Sequence, residues 1–408
     1  MNSDQLAIKP LVLTTQLRNV KKPWRHYPWY SDAHTAEHSG YRTIAPEEVE
    51  RAVLLIGDTG APETDQPDIV LQMMAEHLNQ LKERITAVLL GDVVYPNGLP
   101  QETSFLRKKA EKRLQVQIDV VKDHPGAVYV LPGNHDWNMG RKNGFEYAQR
   151  LEKYLQGHSG RPDIYQPPHN CPDPVEIPVT NDLTMIILNS QWWAQPGPKP
   201  VGEKDGCQSR SGKDAIAKLK EILNRTEGQY RLIATHHPLF TNGQHGGRFP
   251  FKRHIFPLTD AHKRLYIPLP LIGSLYPYYR KYIGAREDMI DKTYKRFREQ
   301  LLRLFSAHRK LLYAAGHDHS LQYFRKNNHH YIVSGSGSRT SYVEGGHGAH
   351  FTHAERGFFK LSQLKNGEFW LEAWEPAKDE QSAYGRLMFQ TRNTAEPDDK
   401  ARTLDEMG

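Results

Sequence analysis

The chain predicts an α/β protein with layered sheets and helices on the outside, and three observations carry that prediction. Short apolar runs recur through the middle of the sequence, and most stop at polar or glycine-rich turns. Segments with apolar residues at helical spacing lie between several of these runs. The 408 residues are 38% hydrophobic, enough for a sizeable core in one large domain or two to three smaller ones.

Residues 1–50 have no clear period. They include an aromatic–basic stretch, Lys22 to Tyr30, that reads as an arm packed on the main body. The apolar runs then follow at Ala52–Ile56, Ala87–Leu90, Ala127–Leu131, Met185–Leu188, Leu232–Ala234, Leu311–Ala315 and Tyr331–Ser334. Continuous runs of this length are the pattern of strands buried on both faces. Gly357–Leu361 and Glu368–Trp374 alternate more and read as antiparallel strands. Helical spacing marks Ile69–Arg84, Ser104–Val121, Ala215–Leu223 and Tyr294–Leu304. The expected organisation is an N-terminal arm over 1–50, a main domain over 51–376 with an insertion at about 241–310, and a polar tail over 377–408 that frays.

The formal charge of +7 and pI of about 9.1 favour anionic partners such as phosphate esters, nucleic acid or anionic lipid, although many basic proteins bind none of these. Two cysteines, Cys171 and Cys207, exclude a disulfide framework and a cysteine-based zinc site. They leave one bridge or two free thiols open. No apolar run approaches the ~20 residues that cross a bilayer. The N-terminus as given lacks the apolar core and cleavage site of a secretion signal, as would a chain whose signal had been removed.

The chemistry lies where strands end. Five runs lead into Gly57-Asp58-Thr59-Gly60, Gly91-Asp92-Val93-Val94-Tyr95, Gly133-Asn134-His135-Asp136, Thr235-His236-His237-Pro238 and Gly316-His317-Asp318-His319. The carboxyl ends of buried strands share one edge of a sheet, where ligand sites of α/β proteins form. Carboxylate, amide, imidazole and phenol together suit iron, manganese or zinc. A two-metal site, with ions ~3.5–4 Å apart, needs a bridging carboxylate, for which Asp92 is the natural candidate. Each motif alone is weak, since a lone His-Asp-His is more often a turn. The full set in this order is specific.

As a set, GDTG, GDVVY, GNHD, HHP and GHDH resemble the calcineurin-like metallophosphoesterases over about residues 50–340. Many members carry His two residues after the first Asp; here that position is Gly60. The purple acid phosphatases also have Gly there and place a Tyr three residues after the second Asp, as Tyr95 stands here. GHDHSLQYF (Gly316–Phe324) is similar to the tartrate-resistant type.

The resemblance implies a four-layer αββα sandwich of two mixed sheets packed face to face, with a dinuclear metal site at the strand ends. It implies that Asp58, Tyr95 and His319 bind a ferric ion and that Asp92 bridges. Asn134, His236 and His317 would bind a divalent iron, zinc or manganese ion. His236 rather than His237 is the expected ligand, because the family's ligand lies two before the proline. The implied activity is acid-phosphatase-like hydrolysis of phosphate monoesters by in-line attack of a metal-bound hydroxide, with His135 as proton donor to the leaving group. Asp136 is expected to orient His135 or a metal ligand, and His237 either touches substrate or only packs. The tartrate-resistant resemblance favours an extracytoplasmic site, which no signal in the chain supports.

Other features weigh less. Gly212-Lys213 is followed by Asp214, with the wrong spacing for a phosphate loop. Gly335-Ser336-Gly337-Ser338 reads as a tight turn before an anion cradle, and Trp192-Trp193 as packing or a cleft wall. Aromatics interleaved with Lys and Arg in Phe249–Phe256 and Leu269–Ile283 offer an anionic or membrane surface as a contact, a lid, or an ordinary insertion with a basic face. No obligate protein partner is expected. A phosphodiesterase acting on nucleotides or nucleic acid, and a non-catalytic membrane-surface or binding module, are the competing readings.

Overall fold

The computed structural model describes residues 27–31, 41–259, 265–284, 286–377 and 383–392. In chain order the strands are β1 (Trp29–Tyr30), β2 (Val49–Ile56), β3 (Ile85–Leu89), β4 (Val128–Val130), β5 (Val175–Pro178), β6 (Leu183–Ile187) and β7 (Tyr230–Ala234), then β8 (Leu311–Ala315), β9 (Leu321–Lys326), β10 (His329–Ser334), β11 (Ala349–His353), β12 (Phe358–Leu364), β13 (Phe369–Glu375) and β14 (Arg386–Arg392). The helices are α1 (Ile69–Leu81), α2 (Arg107–Val121), α3 (Gly144–Ser159), α4 (Ser190–Ala194), α5 (Gly212–Arg225), α6 (Phe251–Ile255), α7 (Pro270–Tyr282) and α8 (Lys292–Phe305).

Two mixed sheets form. One is ordered β1-β11-β9-β10-β8-β7-β6-β5 and the other β14-β13-β12-β2-β3-β4. The strands that carry the apolar runs are the parallel ones, β10-β8-β7-β6 and β2-β3-β4. Antiparallel strands flank them on both sides of each sheet, except at β4, which is an edge.

Side-chain alternation shows why these strands read as unbroken apolar runs. Along β2, Val53 and Leu55 join Met185, Leu232, Ala314 and Phe359 in the layer between the two sheets. Ala52, Leu54 and Ile56 face the other way, against Leu71, Met74, Leu114 and Leu151 of α1, α2 and α3. The first sheet is covered likewise by Leu219, Leu223, Phe297 and Leu301 of α5 and α8. Each strand is buried on both faces, so period two carries no contrast in polarity. The result is the expected αββα sandwich.

Several boundaries differ from the sequence reading. Helix α8 supplies core residues, so the stretch outside the core ends before Lys292 rather than near 310. The domain does not end at 376, because β14 pairs along the whole of β13 and buries Phe389 between the sheets. Only Leu387, Met388 and Phe389 of this strand are apolar, within a polar stretch that reads as tail. Within the expected arm, Trp29 and Tyr30 pair with Thr352 and Phe351, and Tyr30 Oη donates to Met388 O at 2.8 Å. The rest of the arm before 27 and the tail after 392 lie outside the described residues. Helix α3 is unanticipated, since only Ala148, Leu151, Tyr154 and Leu155 mark its buried face. Cys171 and Cys207, left open above, form a disulfide with Cα atoms 5.5 Å apart. No described helix is long and apolar enough to cross a membrane.

Candidate metal centre

The two sheets meet at the ends of their parallel strands, and backbone hydrogen bonds tie the Asp58 loop to the Asp92 loop and the His236 loop to the His317 loop there. Gly57 N donates to Ser334 O at 2.7 Å, Asp58 N to Gly91 O at 2.9 Å, and Gly316 N to His236 O at 3.0 Å. Asp58, Asp92 and His317 all sit at positive φ (60°, 56° and 73°), a region that disfavours side chains. Such strain persists only where the surroundings over-determine it, and it clusters at functional sites. The predicted turn at 335–338 supplies part of that constraint. Gly337 N donates to Gly57 O, and both Ser338 N and Ser338 Oγ donate to Asp58 O. It is therefore a packing turn that pins the Asp58 loop.

Two groups of polar atoms converge, and Asp92 touches both. In the first, Tyr95 Oη lies 2.7 Å from Asp58 Oδ1, 3.0 Å from His319 Nε2 and 3.3 Å from Asp92 Oδ2. In the second, Asn134 Oδ1 lies 2.9 Å from His236 Nε2 and 3.0 Å from His317 Nδ1, and the two ring nitrogens are 3.2 Å apart. Asp92 Oδ2 is 3.6 Å from His236 Nε2. All seven predicted ligands therefore come together, with Asp92 between the two groups.

The tautomers decide what the second group can do. His236 Nδ1 faces Leu90 O at 2.8 Å, and His317 Nε2 faces Glu287 O at 2.9 Å. A carbonyl only accepts, so these nitrogens carry the protons and the opposite nitrogens are bare lone pairs. Two lone pairs and an amide oxygen thus point at one another inside a fully buried site. Burial, with the nearby His245, His237 and His236, holds His317 well below its ordinary pKa, so a proton on His317 does not relieve the clash. A cation would. A ring nitrogen held by a carbonyl is the usual support of an imidazole ligand. The donor set fits a metal pair on this ground.

In the first group, burial followed by Asp58 and Asp92 pushes the Tyr95 phenol well above its ordinary pKa. Burial raises Asp58 too, but its hydrogen bond and charge interaction with His319 bring it below the usual carboxylate range. Gly60 has no room for a side chain. A Cβ there would meet Val94 N at 2.6 Å, Asp92 O at 2.7 Å and Tyr95 N at 2.8 Å. The position that holds His in many relatives is here used for backbone contact with the Tyr95 loop.

The other predicted residues separate by environment. His135 is partly exposed, with Nδ1 2.5 Å from Pro96 O and Nε2 3.8 Å from Asp92 Oδ2. Asp136 is fully buried and accepts from Gly133 N, Asp92 N, Val93 N and Val94 N at 2.8–3.2 Å. It holds the Asp92 loop rather than the His135 ring. Burial and then the charge of Asp92 push Asp136 up, against the pull of these N–H groups. His237 is buried, its ring set against Tyr294 and His317 and its Nδ1 2.8 Å from Ser190 Oγ. Trp192 is buried with Nε1 donating to Pro200 O, and Trp193 stacks on Phe297.

Four residues here were not foreseen. The His245 ring lies 3.9 Å from that of His317, and its Nδ1 is 3.1 Å from buried Asp288, which also pairs with Arg280. These lie in the insertion, from 28 (Asp288) to 71 (His245) positions before Gly316 of the GHDH motif, and no local spacing marks them. Arg339 follows the 335–338 turn, is exposed, and stands 4.3 Å over the Tyr95 ring.

The calcineurin-like phosphoesterase family model matches residues 51–335. No curated protein matches the chain in sequence. Among solved structures, GAP50, the anchor in the inner membrane complex of Plasmodium, is 16% identical with a TM-score of 0.51, over 84% of this chain and 88% of that one. The purple acid phosphatase PPD1 from yellow lupin (Lupinus luteus) seeds is 13% identical with a TM-score of 0.48, and PhoD is 11% identical with a TM-score of 0.48. These two matches cover 84% and 83% of this chain but 53% and 68% of the other, so about half of the lupin protein's length is spanned. A match over more than half of the chain, on the segment whose five motif loops build this centre, places the protein in the calcineurin-like phosphoesterase family.

Proposed function

We propose that the protein hydrolyses phosphate monoesters at a dinuclear centre held by Asp58, Asp92, Tyr95, Asn134, His236, His317 and His319. The observation that carries this reading is the facing lone pairs of His236 Nε2 and His317 Nδ1, 3.2 Å apart, with Asp92 reaching both groups. Asp58, Tyr95 and His319, the oxygen-rich group, suit a ferric ion; Asn134, His236 and His317 suit divalent iron, zinc or manganese. A bound metal pair supplies a nucleophile from water at neutral pH and offsets charge on the phosphoryl oxygens.

The chain's own groups then do the rest. Pro96 O takes the His135 Nδ1 proton as a hydrogen bond and turns Nε2 towards Asp92 Oδ2. From there Nε2 delivers a proton to the leaving oxygen. His135 N donates to Asp92 Oδ1 at 2.8 Å, so the loop of the proton donor is tied to that of the bridging carboxylate. Arg339, exposed over Tyr95, offers its guanidinium to a phosphate oxygen at the mouth. Asp136 fixes the Asp92 loop and His237 packs beneath His317 as a support.

Two measurements test this. The oxidised protein with both sites filled should show a visible charge-transfer band from a ferric phenolate, and Tyr95→Phe should abolish it. No band would retire the iron assignment in favour of manganese or zinc. Turnover of an aryl monoester should exceed that of the corresponding diester. The reverse ratio would make the protein a diesterase, and no turnover of either with metals bound would make it a binding module. His135→Ala should keep its metals and lose ~10²–10⁴-fold in turnover, most on poor leaving groups.

A further inference from the structure

Helix α7 shows its apolar side to solvent. Leu275, Tyr278, Tyr279, Tyr282 and Ile283 recur at the spacing of a single helical stripe, and all are exposed; Leu275, Tyr282 and Ile283 are 66%, 64% and 69% accessible. On the opposite side Gly273 and Pro277 are buried, and Gly273 lets the helix cross closely over His254 O of α6. Arg280 fastens the helix to the body through Asp288. Beside it, Phe251 is 78% exposed, and Tyr266 and Ile267 are also open. A helix normally turns such a stripe inwards, because each large apolar side chain left in water forgoes its burial.

The sequence of the segment that carries this helix is basic. Residues 241–286 contain eight Lys and Arg and a single acidic residue, Asp260. That excess equals the formal +7 of the whole chain, so the remainder is neutral in sum. Lys281 flanks the stripe and Arg286 follows it. A tyrosine-rich apolar stripe bordered by basic residues is the pattern of a helix lying in the headgroup region of an anionic bilayer. The stripe stands on an exposed helix face, and the segment 241–286 has a single acidic residue to match a basic partner. With no described helix able to cross a membrane, contact is at the surface.

We propose that α7 and its flanks dock the protein on anionic lipid membranes. The docking does not depend on the phosphatase reading, and the two fail separately. The contact is connected to the metal centre, since Glu287, just beyond α7, is the carbonyl that fixes His317.

Flotation of the full chain with vesicles of phosphatidylcholine, alone or doped with phosphatidylserine, tests it. Wild type should float with the doped vesicles, at least tenfold more than with phosphatidylcholine alone, and salt should weaken binding. Leu275→Ser/Tyr282→Ser/Ile283→Ser should lose binding at least tenfold, with unchanged circular dichroism and unchanged hydrolysis of a soluble aryl phosphate. Lys281→Glu/Arg286→Glu should remove the preference for phosphatidylserine. Wild type that stays with the soluble fraction, or a serine variant that binds as wild type does, overturns the proposal. So does a wild type that ignores vesicles yet self-associates in sedimentation velocity while the serine variant is monomeric, which would assign the stripe to a second copy of the chain.

Discussion

Replacing Gly60 by His would restore the residue that many relatives carry, and the structure expects the opposite of a rescue. Gly60 N donates to Asp92 O at 2.9 Å, and Tyr95 N donates to Gly60 O at 3.0 Å, so the Asp58 and Asp92 loops touch backbone to backbone here. A Cβ would lie 2.6–2.8 Å from three backbone atoms of residues 92–95, none of which can swing aside as a side chain would. Parting the loops breaks two hydrogen bonds at roughly 1 kcal/mol each. Overpacking adds ~1–3 kcal/mol. Gly60→Ala should therefore cost about 3–5 kcal/mol, lowering Tm by several degrees for a domain of this size. It should also move Asp92 and Tyr95 away from Asp58. Gly60→His should do the same without gaining a ligand, and adding Tyr95→Phe should not recover metal. The assays are thermal unfolding and metal content after equilibration with iron and zinc. A Gly60→Ala protein with wild-type Tm and full metal occupancy would refute this account of the loop contact.

Three further outcomes follow from single residues. Asp136→Ala leaves four backbone N–H groups near Asp92 without their acceptor, at ~1–3 kcal/mol for each left dry, so it should unfold earlier and bind metal weakly; a normal Tm with low turnover alone would make Asp136 a reacting group. Cys171→Ser/Cys207→Ser reopens a loop of sequence separation 36, with ~4 kcal/mol expected from loop entropy, so non-reducing and reducing melts of wild type should differ and those of the variant should coincide. His330 is held at about 3, by burial first and then by Arg325, His329 and His350. The unfolded chain gains a proton there below about 6.5, which the folded state refuses until about 3. The stability is present above 6.5 and is lost as pH falls, by about 2 kcal/mol at pH 5, and His330→Asn should flatten the fall in Tm between pH 7.5 and 5.

The sequence by itself determined the layered α/β fold and the candidate metal ligands. Both faces of β2, β3, β6, β7 and β8 are covered, so runs such as Ala52–Ile56, Met185–Leu188 and Leu311–Ala315 are apolar without interruption, and that pattern survives in one dimension. The ligands are legible because each loop must combine a donor with a sharp turn at a strand end, as Gly91-Asp92 and Gly316-His317 do. Strand β14 and helix α3 were hidden because their buried faces rest on few apolar side chains. Only the tertiary structure decided the supports. Asp136 turned out to hold the Asp92 loop, His237 to be buried on Ser190, and Leu90 O and Glu287 O to set which nitrogen of each histidine is bare. These contacts join residues up to 146 positions apart, as in His236 to Leu90, and no local spacing can encode them. The same holds for the stripe on α7. Its helical period is in the sequence, but which way it faces depends on Gly273 and Pro277 being the buried side.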